Sequence, residues 1–377
     1  MDNSNLDSVL ERIAVRVVND LIEGLIITDR DMNIIMVNPA FTRITGYESH
    51  EVMGKNPNLL SSGRHDSLFY RSMWDSIVHK GCWRGEIWNR DKNGKIYLQY
   101  ITITAMLDTD GNVMNYVAVL IDITESRRVE EKLKKEIWLA RQVQRVMLSE
   151  PIENKYIRIN GIYRPSEDLG GDMYCWYRID EHRYGVIIID VAGHGVSASL
   201  VSSSIRSLLR GMIVRLQTPT LVMQELNEQM FRLFKEKEPE GLYSGFYFTA
   251  IYLLIDTNRQ MVWYANAGHT PGRAINDEGE VYILDQGCVP IGMVPDIQVE
   301  EGLFSYTSST KIVLFTDGFV EKPGTFLSES LADLDERMKR HYFLDNQLFV
   351  ECLLNEQVAQ IELEDDISLV SVQLFSA

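Results

Sequence analysis

The sequence predicts an α+β protein made of two domains and a connecting helix. Its 377 residues suffice for two domains of about 100–200 residues each. Short β-rich runs separated by turn residues fill residues 20–124, and apolar strands alternate with helices from residue 155 onward. Residues 125–150 contain neither Gly nor Pro and are rich in helix-forming residues.

Composition and charge exclude several classes of protein. The formal net charge of −17 argues against a nucleic-acid partner, which selects a basic surface, and against docking on an anionic membrane. The four cysteines form no C-x-x-C pair, so neither a disulfide framework nor a zinc site is indicated. We find no signal peptide and no apolar run near the ~20 residues of a membrane helix. We therefore expect a soluble cytoplasmic protein without a membrane span.

The first domain is predicted to begin with two short strands, at 24–28 and 34–37, and a short helix from Ala40 that ends at Gly46. Asn-Gly and Asp-Gly pairs then lie between alternating β-rich runs, which is the local signature of a hairpin turn. The three antiparallel strands that these turns separate are predicted at 83–90, 96–107 and 113–123.

The connecting helix is predicted to end at Pro151. Its apolar residues fall near the a and d positions of a heptad repeat, which predicts a parallel coiled coil in a homodimer. A linker helix packed on one of the two domains is the alternative. The residues concerned are Val129, Leu133, Ala140, Val143 and Met147.

The second domain places Asp residues at the edges of four strands. The run at 186–189 reads as a buried strand that ends in Asp190, followed by a Gly-His-Gly turn and a helix at 197–211. Asp317 follows the strand at 312–315, and Asp172 follows a Gly-Gly turn. Asp365 and Asp366 precede the last strand. A single strand-end Asp is typical of a turn, but four such segments predict a site for a hard cation such as Mg²⁺ or Mn²⁺.

The stretch NPAFTRITGY and the segment 85–124 resemble a PAS sensor domain. The resemblance implies an antiparallel sheet with flanking helices over residues 10–124, and a sensing or dimerising role with an unknown ligand. The stretch GKNPNLL contains no Cys, so flavin photochemistry through a cysteine is not expected. His65 and His79 are candidate haem ligands, although a lone His is more often an ordinary surface residue.

Seven motifs in the second domain occur in the order typical of PPM-type (type 2C) Ser/Thr phosphatases of the branch that regulates sigma factors. They are LGGDMYCW, DVAGHGVSASL, FYFTAIYLLID, NAGHTPG, VPIGMVPD, FTDGFVE and EDDISLVSVQL. The resemblance implies an αββα sandwich over residues 151–377, with 125–150 as the linker helix. It also implies hydrolysis of phosphoserine or phosphothreonine with two divalent ions, Mn²⁺ or Mg²⁺, on a phosphorylated anti-sigma factor antagonist.

Carried over residue by residue, the resemblance makes Asp190 the ligand that bridges both metals, with the carbonyl of Val191 beside it. Asp172, Asp317 and Asp365 complete the ligand set, and Asp366 lies in or next to it. Asp190 and Asp172 are thus the candidate catalytic residues. His194 is a candidate near the leaving group, or a residue that shapes the turn.

One position departs from the branch, which usually has Gly-Gly-Asp-x-Tyr-Asp where this chain has Cys175. The hypothesis is that loss of this second carboxylate weakens metal affinity. A diguanylate cyclase would need Glu-Phe after Gly-Gly-Asp, and Met173-Tyr174 stand there instead. A non-catalytic PAS scaffold that binds a signalling partner is the remaining alternative.

Overall fold

The computed structural model describes residues 3–234, 245–321, 324–358 and 365–376. The chain divides into two compact units, Met1–Lys134 and Lys135–Ala377. Within the described ranges, no helix is both long and apolar enough to cross a membrane.

The first unit is built on a five-stranded antiparallel sheet with strand order β2-β1-β5-β4-β3. Its elements are α1 (Asn3–Asp20), β1 (Gly24–Asp29), β2 (Ile34–Val37), α2 (Pro39–Thr45), α3 (Ser49–Val52), a 3₁₀ turn (Pro57–Leu60), α4 (Ser67–Lys80), β3 (Cys82–Arg90), β4 (Ile96–Leu107) and β5 (Val113–Asp122). This is the antiparallel sheet with flanking helices that the sequence predicts.

Local chemistry explains the boundaries of these elements. The Asn38 side chain accepts a hydrogen bond from the Phe41 N–H and caps α2, whose next residue, Pro39, needs no amide partner. Gly46 ends α2 in the left-handed conformation, with φ of 73°. An apolar cluster that includes Phe41 and Leu120 joins the helices to the sheet.

A long helix, α5 (Thr124–Met147), leads into the second unit. It ends at Met147, four residues before the predicted end at Pro151. The reason is tertiary: the Ser149 hydroxyl accepts from the Trp176 N–H at 3.0 Å and donates to the Trp176 carbonyl at 3.3 Å. These bonds hold the chain against a strand of the second unit instead of continuing the helix.

The described residues of the second unit form two six-stranded sheets and two pairs of helices. Its elements are β6 (Ile152–Glu153), β7 (Ile157–Arg164), β8 (Met173–Arg178), β9 (Arg183–Val191), α6 (Gly195–Leu216), α7 (Pro219–Phe234), β10 (Phe248–Asp256), β11 (Met261–Ala267), β12 (Gly272–Asn276), β13 (Val281–Leu284), β14 (Gly287–Cys288), β15 (Gly302–Ser305), β16 (Thr310–Phe315), a 3₁₀ turn (Asp317–Phe319), α8 (Leu327–His341), α9 (Asn346–Val358) and β17 (Ile367–Leu374).

The layers of this unit are helix, sheet, sheet and helix. One sheet has the order β14-β11-β10-β9-β8, with β15 also on β11, and the other has the order β13-β12-β16-β17-β7-β6. An apolar layer that includes Ile188 and Leu314 fills the space between the sheets. Separate clusters pack α6 and α7 on the first sheet and α8 and α9 on the second. The predicted α+β class and αββα sandwich are confirmed.

Helix α6 is longer at both ends than the predicted 197–211, and it continues through Gly211. Met212 and Ile213, directly after this glycine, are buried in the layer between α6 and the first sheet. Their burial outweighs the helix cost of about 1 kcal/mol that Gly carries relative to Ala.

Candidate active site

The strand-end aspartates meet at one end of the two sheets. Asp172 directly precedes β8, and Asp190 is the next-to-last residue of the antiparallel neighbour β9. Asp317 follows β16, and Asp365 and Asp366 precede its antiparallel neighbour β17. In an antiparallel pair, one strand begins beside the point where its neighbour ends. The carboxylates of each pair of strands therefore lie close together. The charges of Asp190, Asp317 and Asp366 all act on Asp172.

Direct hydrogen bonds connect the two sheets at this point. The Thr316 hydroxyl donates to Asp172 Oδ2 at 2.6 Å and accepts from the Ser368 N–H at 2.9 Å. Asp172 is 3% exposed. Thr316 thus holds the carboxylate of one sheet beside the strand ends of the other.

Asp365 and Asp366 differ in their surroundings. Asp366 is buried, and its Oδ1 accepts from the backbone N–H and the hydroxyl of Ser166 at 2.8 and 2.9 Å. Its Oδ2 accepts from the Gly171 N–H at 2.8 Å. Asp365 is exposed, and its Oδ1 accepts from the Asp366 N–H at 2.7 Å. Asp366 therefore anchors the loop before β8, whereas Asp365 keeps oxygen atoms available at the surface of the site.

The Gly-Gly turn is required by the closeness of this packing. A Cβ on Gly170 would lie 2.1 Å from Asp366 Oδ2, and a Cβ on Gly171 would lie 2.8 Å from the Val191 carbonyl oxygen. Both distances are shorter than a real Cβ contact. The Gly171 contact also brings the Val191 carbonyl next to the loop that carries Asp172.

Burial and mutual repulsion make ionisation of the cluster costly. Burial, followed by the charge of Asp190, raises the pKa of Asp172 well above its usual value. Burial, followed by the charges of Asp317 and Asp365, raises the pKa of Asp190 to about 7. Burial, followed by the charge of Asp365, also raises the pKa of Asp317. The largest charges that act on these three groups are carboxylates, so the site favours cations.

The side chains are turned toward protein donors rather than toward a common centre. Among the described residues, no three His, Cys, Asp or Glu side chains are already arranged as metal ligands. This fits the bonds above, because Asp172 Oδ2 faces Thr316 and both Asp366 oxygens face N–H or O–H groups. The converging carboxylate charge identifies the location of the candidate site.

Gln144 on α5 contacts the same loop, and sequence analysis did not single it out. Its Nε2 donates to the Gly170 carbonyl at 2.6 Å, and its Oε1 accepts from the Gly170 N–H at 3.5 Å and from the Tyr163 hydroxyl at 3.3 Å. It is the buried residue of α5. A Gln beside an apolar heptad pattern indicates only weakly that the side chain has a specific partner, because that partner lies 26 residues away in sequence.

His269 is a second residue whose role the sequence did not reveal, although it lies in the motif NAGHTPG. Its Nδ1 pairs with the Thr249 hydroxyl at 2.7 Å, and Thr249 is the strand partner of Asp190. Burial lowers the pKa of His269 to about 4. His269 is thus a neutral side chain that supports the strand next to the one that carries Asp190.

Neither His194 nor Cys175 has a contact with the aspartate cluster among the described hydrogen bonds and ion pairs. His194 Nδ1 lies 3.2 Å from Glu167 Oε1, and its side chain is 66% exposed. Cys175 is fully buried in the apolar layer between the first sheet and α6, where burial raises its pKa to about 11. The Arg206 charge and a hydrogen bond with Tyr177 oppose that rise.

The two candidate haem ligands of the first unit have other partners. His65 Nε2 accepts from the Trp88 N–H at 2.8 Å, and its ring stacks on Phe69 at 4.0 Å. His79 Nδ1 pairs with the Asp75 carbonyl at 2.8 Å on its own helix. Both imidazoles therefore have local structural partners.

The two-sheet sandwich with carboxylates at one end has the PP2C fold. The SiaA-PP2C domain of Pseudomonas aeruginosa superimposes with a TM-score of 0.53 at 20% identity, over 66% of this chain and 98% of that one. The RsbU and RsbW domains of a Mycobacterium tuberculosis protein give 0.51 at 21% identity, over 59% and 60% of the respective chains. At these identities the likeness concerns the fold alone.

Residues 180–375 match the Stage II sporulation protein E (SpoIIE) family, and residues 22–125 match the PAS domain family. The chain belongs to the SpoIIE family and carries a PAS domain. Phosphoserine phosphatase RsbP of Bacillus subtilis (strain 168) is 40% identical over 201 residues, which are 53% of this chain and 49% of that protein.

Two further relatives match different parts of the chain. Phosphoserine phosphatase RsbU of Bacillus subtilis (strain 168) is 24% identical over 250 residues, 65% of this chain and 71% of RsbU. A nitrogen fixation regulatory protein of Klebsiella oxytoca is 36% identical over 117 residues, 31% of this chain and 24% of that protein. This chain thus spans about half of RsbP and a quarter of the nitrogen regulator.

Proposed function

We propose that this chain is a metal-dependent protein phosphatase that hydrolyses phosphoserine or phosphothreonine. The observation that carries the proposal is the convergence of Asp172, Asp190 and Asp317 at one end of a PP2C sandwich, where the largest charges that act on each of them are other carboxylates. The relatives RsbP and RsbU are both named phosphoserine phosphatases, which supports the proposed activity.

The donor set fits two hard divalent cations, Mg²⁺ or Mn²⁺, because it consists of carboxylate and carbonyl oxygens. In this proposal Asp190 and the Val191 carbonyl would hold the ions. Asp172, Asp317 and Asp365 supply further oxygens. Asp366 holds the Gly170-Gly171 loop, because both of its oxygens already accept hydrogen bonds.

The ions would neutralise charge on the phosphoryl group and activate a water for direct attack on phosphorus. The protein's part is to hold the oxygen ligands. Thr316 fixes Asp172, Asp366 fixes the loop before it, and the His269–Thr249 pair supports the strand that carries Asp190. The raised pKa of Asp190 agrees with a site that is completed by positive charge.

The proposed substrate is a phosphorylated anti-sigma factor antagonist, as implied by the resemblance to the sigma-factor branch. The PAS domain at 10–124 would regulate the phosphatase domain at 151–377 through the linker at 125–150, in the cytoplasm. Support for the linker's role comes from Gln144, which connects α5 to the loop of Asp172.

We also propose that α5 mediates homodimer formation. Val129, Leu133 and Val143 are 57%, 55% and 58% exposed, so the apolar positions of the heptad pattern are largely accessible on the single chain. An apolar stripe at this spacing is buried when two such helices pair.

The test is a phosphatase assay on an aryl phosphate and on a phosphoserine peptide, with the chelated protein, added Mn²⁺ and the variant Asp190→Asn. We expect hydrolysis that needs Mn²⁺ and falls at least about 100-fold in the variant, since the proposed bridging ligand is lost. Turnover by Asp190→Asn at the wild-type rate would disprove the assignment. Absence of turnover in both proteins, at Mn²⁺ concentrations shown by titration to bind, would favour the non-catalytic scaffold.

A further inference from the structure

A groove with a volume of about 580 Å³ lies beside the aspartate cluster, within the second unit. Helix α5 lines it with Ile137 and Arg141, and the start of α6 lines it with Gly195 and Val196. The rest of the lining is the segment 165–169, which leads into the Gly-Gly turn. Pockets that hold small ligands have volumes of about 300–1,000 Å³, so a side chain of a partner protein fits this groove.

Direct contacts connect the groove with the candidate active site. Ser166, which lines the groove, donates its N–H and its hydroxyl to Asp366 Oδ1 at 2.8 and 2.9 Å. Gly195, at the start of α6, is so close to the segment 165–169 that a Cβ there would lie 3.2 Å from Glu167 Oε2. Consecutive Cα atoms are about 3.8 Å apart, so the residues on either side of a bound phosphoserine lie within reach of this groove.

The charges of the groove favour a basic side chain as its occupant. Of the described residues that line it, Glu167 and Asp168 are acidic and Arg141 is basic. Arg141 Nη1 lies 3.8 Å from Asp168 Oδ1, so the charges of these two residues compensate each other. The side chain of Glu167 is 56% exposed, and its Oε1 lies beside the imidazole of His194. The carboxylate of Glu167 is therefore accessible to an incoming cation.

The apolar residues of the groove favour a long side chain over a small cation. Ile137, Pro165, Leu169 and Val196 contribute carbon surface, and Val196 is 55% exposed. Lys and Arg side chains place their methylene groups on such surface while the charged group stays in water. A small cation has no methylene groups and would gain nothing from this surface. The lining therefore suits the side chain of Lys or Arg.

We propose that this groove binds a Lys or Arg side chain that the phosphoprotein substrate presents next to its phosphorylated residue. Glu167 is the residue that determines this specificity. The inference rests on the proposed function, because it assigns the groove to the substrate of the same site. Replacing Glu167 should therefore change which peptides are hydrolysed and leave hydrolysis of an aryl phosphate, which has no neighbouring residues, unchanged.

The experiment measures kcat/KM of the full chain with Mn²⁺ on three phosphoserine peptides of the same length. The two residues on each side of the phosphoserine are all Lys, all Ala or all Glu. At low salt we expect kcat/KM for the Lys peptide to exceed that for the Glu peptide about two- to fivefold, as an exposed ion pair would give. In about 0.5 M NaCl the difference should nearly vanish, since salt screens exposed charges.

Two variants change the charge of the groove in opposite directions. Glu167→Lys should invert the preference, so that the Glu peptide becomes the better substrate by about two- to fivefold. Arg141→Gln removes the charge that compensates Asp168 and should raise the preference for the Lys peptide about twofold. The matched control is Glu181→Lys, which makes the same charge change in an exposed turn before β9, at the end of that strand away from the aspartates. It should leave the ratio unchanged.

Turnover of an aryl phosphate separates this inference from the proposed function. If the aryl phosphate is hydrolysed but Glu167→Lys keeps the wild-type ratio between the Lys and Glu peptides, the groove is wrongly assigned and the phosphatase activity stands. An equal change of the ratio in Glu181→Lys would also contradict the assignment, because the preference would then follow the overall charge. If circular dichroism shows that Glu167→Lys does not fold, an unchanged ratio in Arg141→Gln overturns the proposal. Absence of turnover on every substrate overturns the proposed function and this inference with it.

Discussion

Asp365 and Asp366 are adjacent in sequence but bonded differently, so their Asn variants should behave differently. In Asp366→Asn the amide group must face either the Gly171 N–H or the Ser166 donors, whichever way it is turned. We expect the free energy of unfolding of the chelated protein to fall by about 1–3 kcal/mol. In Asp365→Asn we expect a change within about 0.5 kcal/mol but at least tenfold weaker Mn²⁺ binding, on the order seen when a metal site is altered.

Urea unfolding of the chelated proteins and calorimetric Mn²⁺ titration measure the two effects separately. Each variant serves as the control for the other, because both remove one charge from the same dipeptide. A destabilised Asp365→Asn together with a stable Asp366→Asn that no longer binds Mn²⁺ would mean that the two roles are exchanged.

Asp190 should make the metal-free protein less stable as pH rises. Its pKa is about 7 in the folded protein, against a reference value of 3.8. Between these two values the folded state keeps a proton that the unfolded state has lost, so the free energy of unfolding decreases with rising pH and levels off above 7. Asp172 and Asp317 also have raised pKa values and act in the same direction.

Asp190→Asn removes this penalty. We therefore expect the variant to raise the melting temperature of the second unit in the chelated protein, by several degrees at pH 8 and by less at pH 5.5, given about 2–4 °C per kcal/mol. Differential scanning calorimetry at the two pH values measures the difference. The control is Asp31→Asn on the exposed surface of the first unit. A variant that is less stable than the wild type at pH 8 would show that the Asp190 charge is already compensated.

The sequence predicted the aspartates of the site because each is marked locally, by an apolar strand and a turn beside it. It could not predict their contacts, which are set by the tertiary fold. Asp366 and Gly171 are 195 residues apart, and Thr316 and Asp172 are 144 residues apart. The role of Gln144 was hidden for the same reason, since nothing near it in sequence indicates the Gly170 carbonyl as its partner.

At the scale of elements, Gln144 bonds α5 to the loop that carries Asp172. Replacing it with Ala removes two hydrogen bonds to Gly170 and frees the loop that carries Asp172. We expect Gln144→Ala to require about tenfold more Mn²⁺ for half-maximal binding, since the lost bonds are worth about 1–1.5 kcal/mol. Gln142→Ala, two residues away on the same helix, is the matched control. Equal Mn²⁺ affinity in both variants, measured by titration, would show that the loop holds its shape without Gln144.

The exposed stripe of α5 leads to a separate prediction about assembly. Leu133 and Val143 are more than half exposed, so replacing both with Ser should leave the melting temperature nearly unchanged. If the stripe pairs two chains, sedimentation analysis should show a smaller dimer fraction, and phosphatase activity should change with it. Glu131→Ser with Lys135→Ser is the control on the same helix. A variant with the wild-type dimer fraction would remove the stripe from the interface.

Element boundaries were predictable where local chemistry sets them and not where burial does. The start and end of α2 follow from Asn38 and Gly46, both visible in the sequence. The early end of α5 depends on Ser149 meeting Trp176, and the extension of α6 past Gly211 depends on the burial of Ile213. These tertiary contacts, rather than Pro151 and Gly211, set the two helix ends.

For the whole molecule, local sequence patterns could not predict the order of strands in the two sandwich sheets. The reason is that β7 pairs with β17, and β9 with β10, across long intervening segments. The αββα arrangement came instead from the resemblance of seven ordered motifs. The division into two compact units has a thermodynamic consequence that does not depend on that resemblance. A ligand stabilises only the cooperative unit to which it binds.

Mn²⁺ should therefore stabilise the second unit and leave the first unchanged. At a free concentration of about 100 times the dissociation constant, the gain is about 2.7 kcal/mol. Hydrogen exchange followed by mass spectrometry should show slower exchange in peptides from β8, β9, β16 and β17, with no change in β3 and β4 of the PAS unit. In Asp190→Asn the slowing should disappear, since the proposed bridging ligand is absent. Equal slowing in both units would show that they unfold together, and slowing confined to β3 and β4 would place the metal site outside the aspartate cluster.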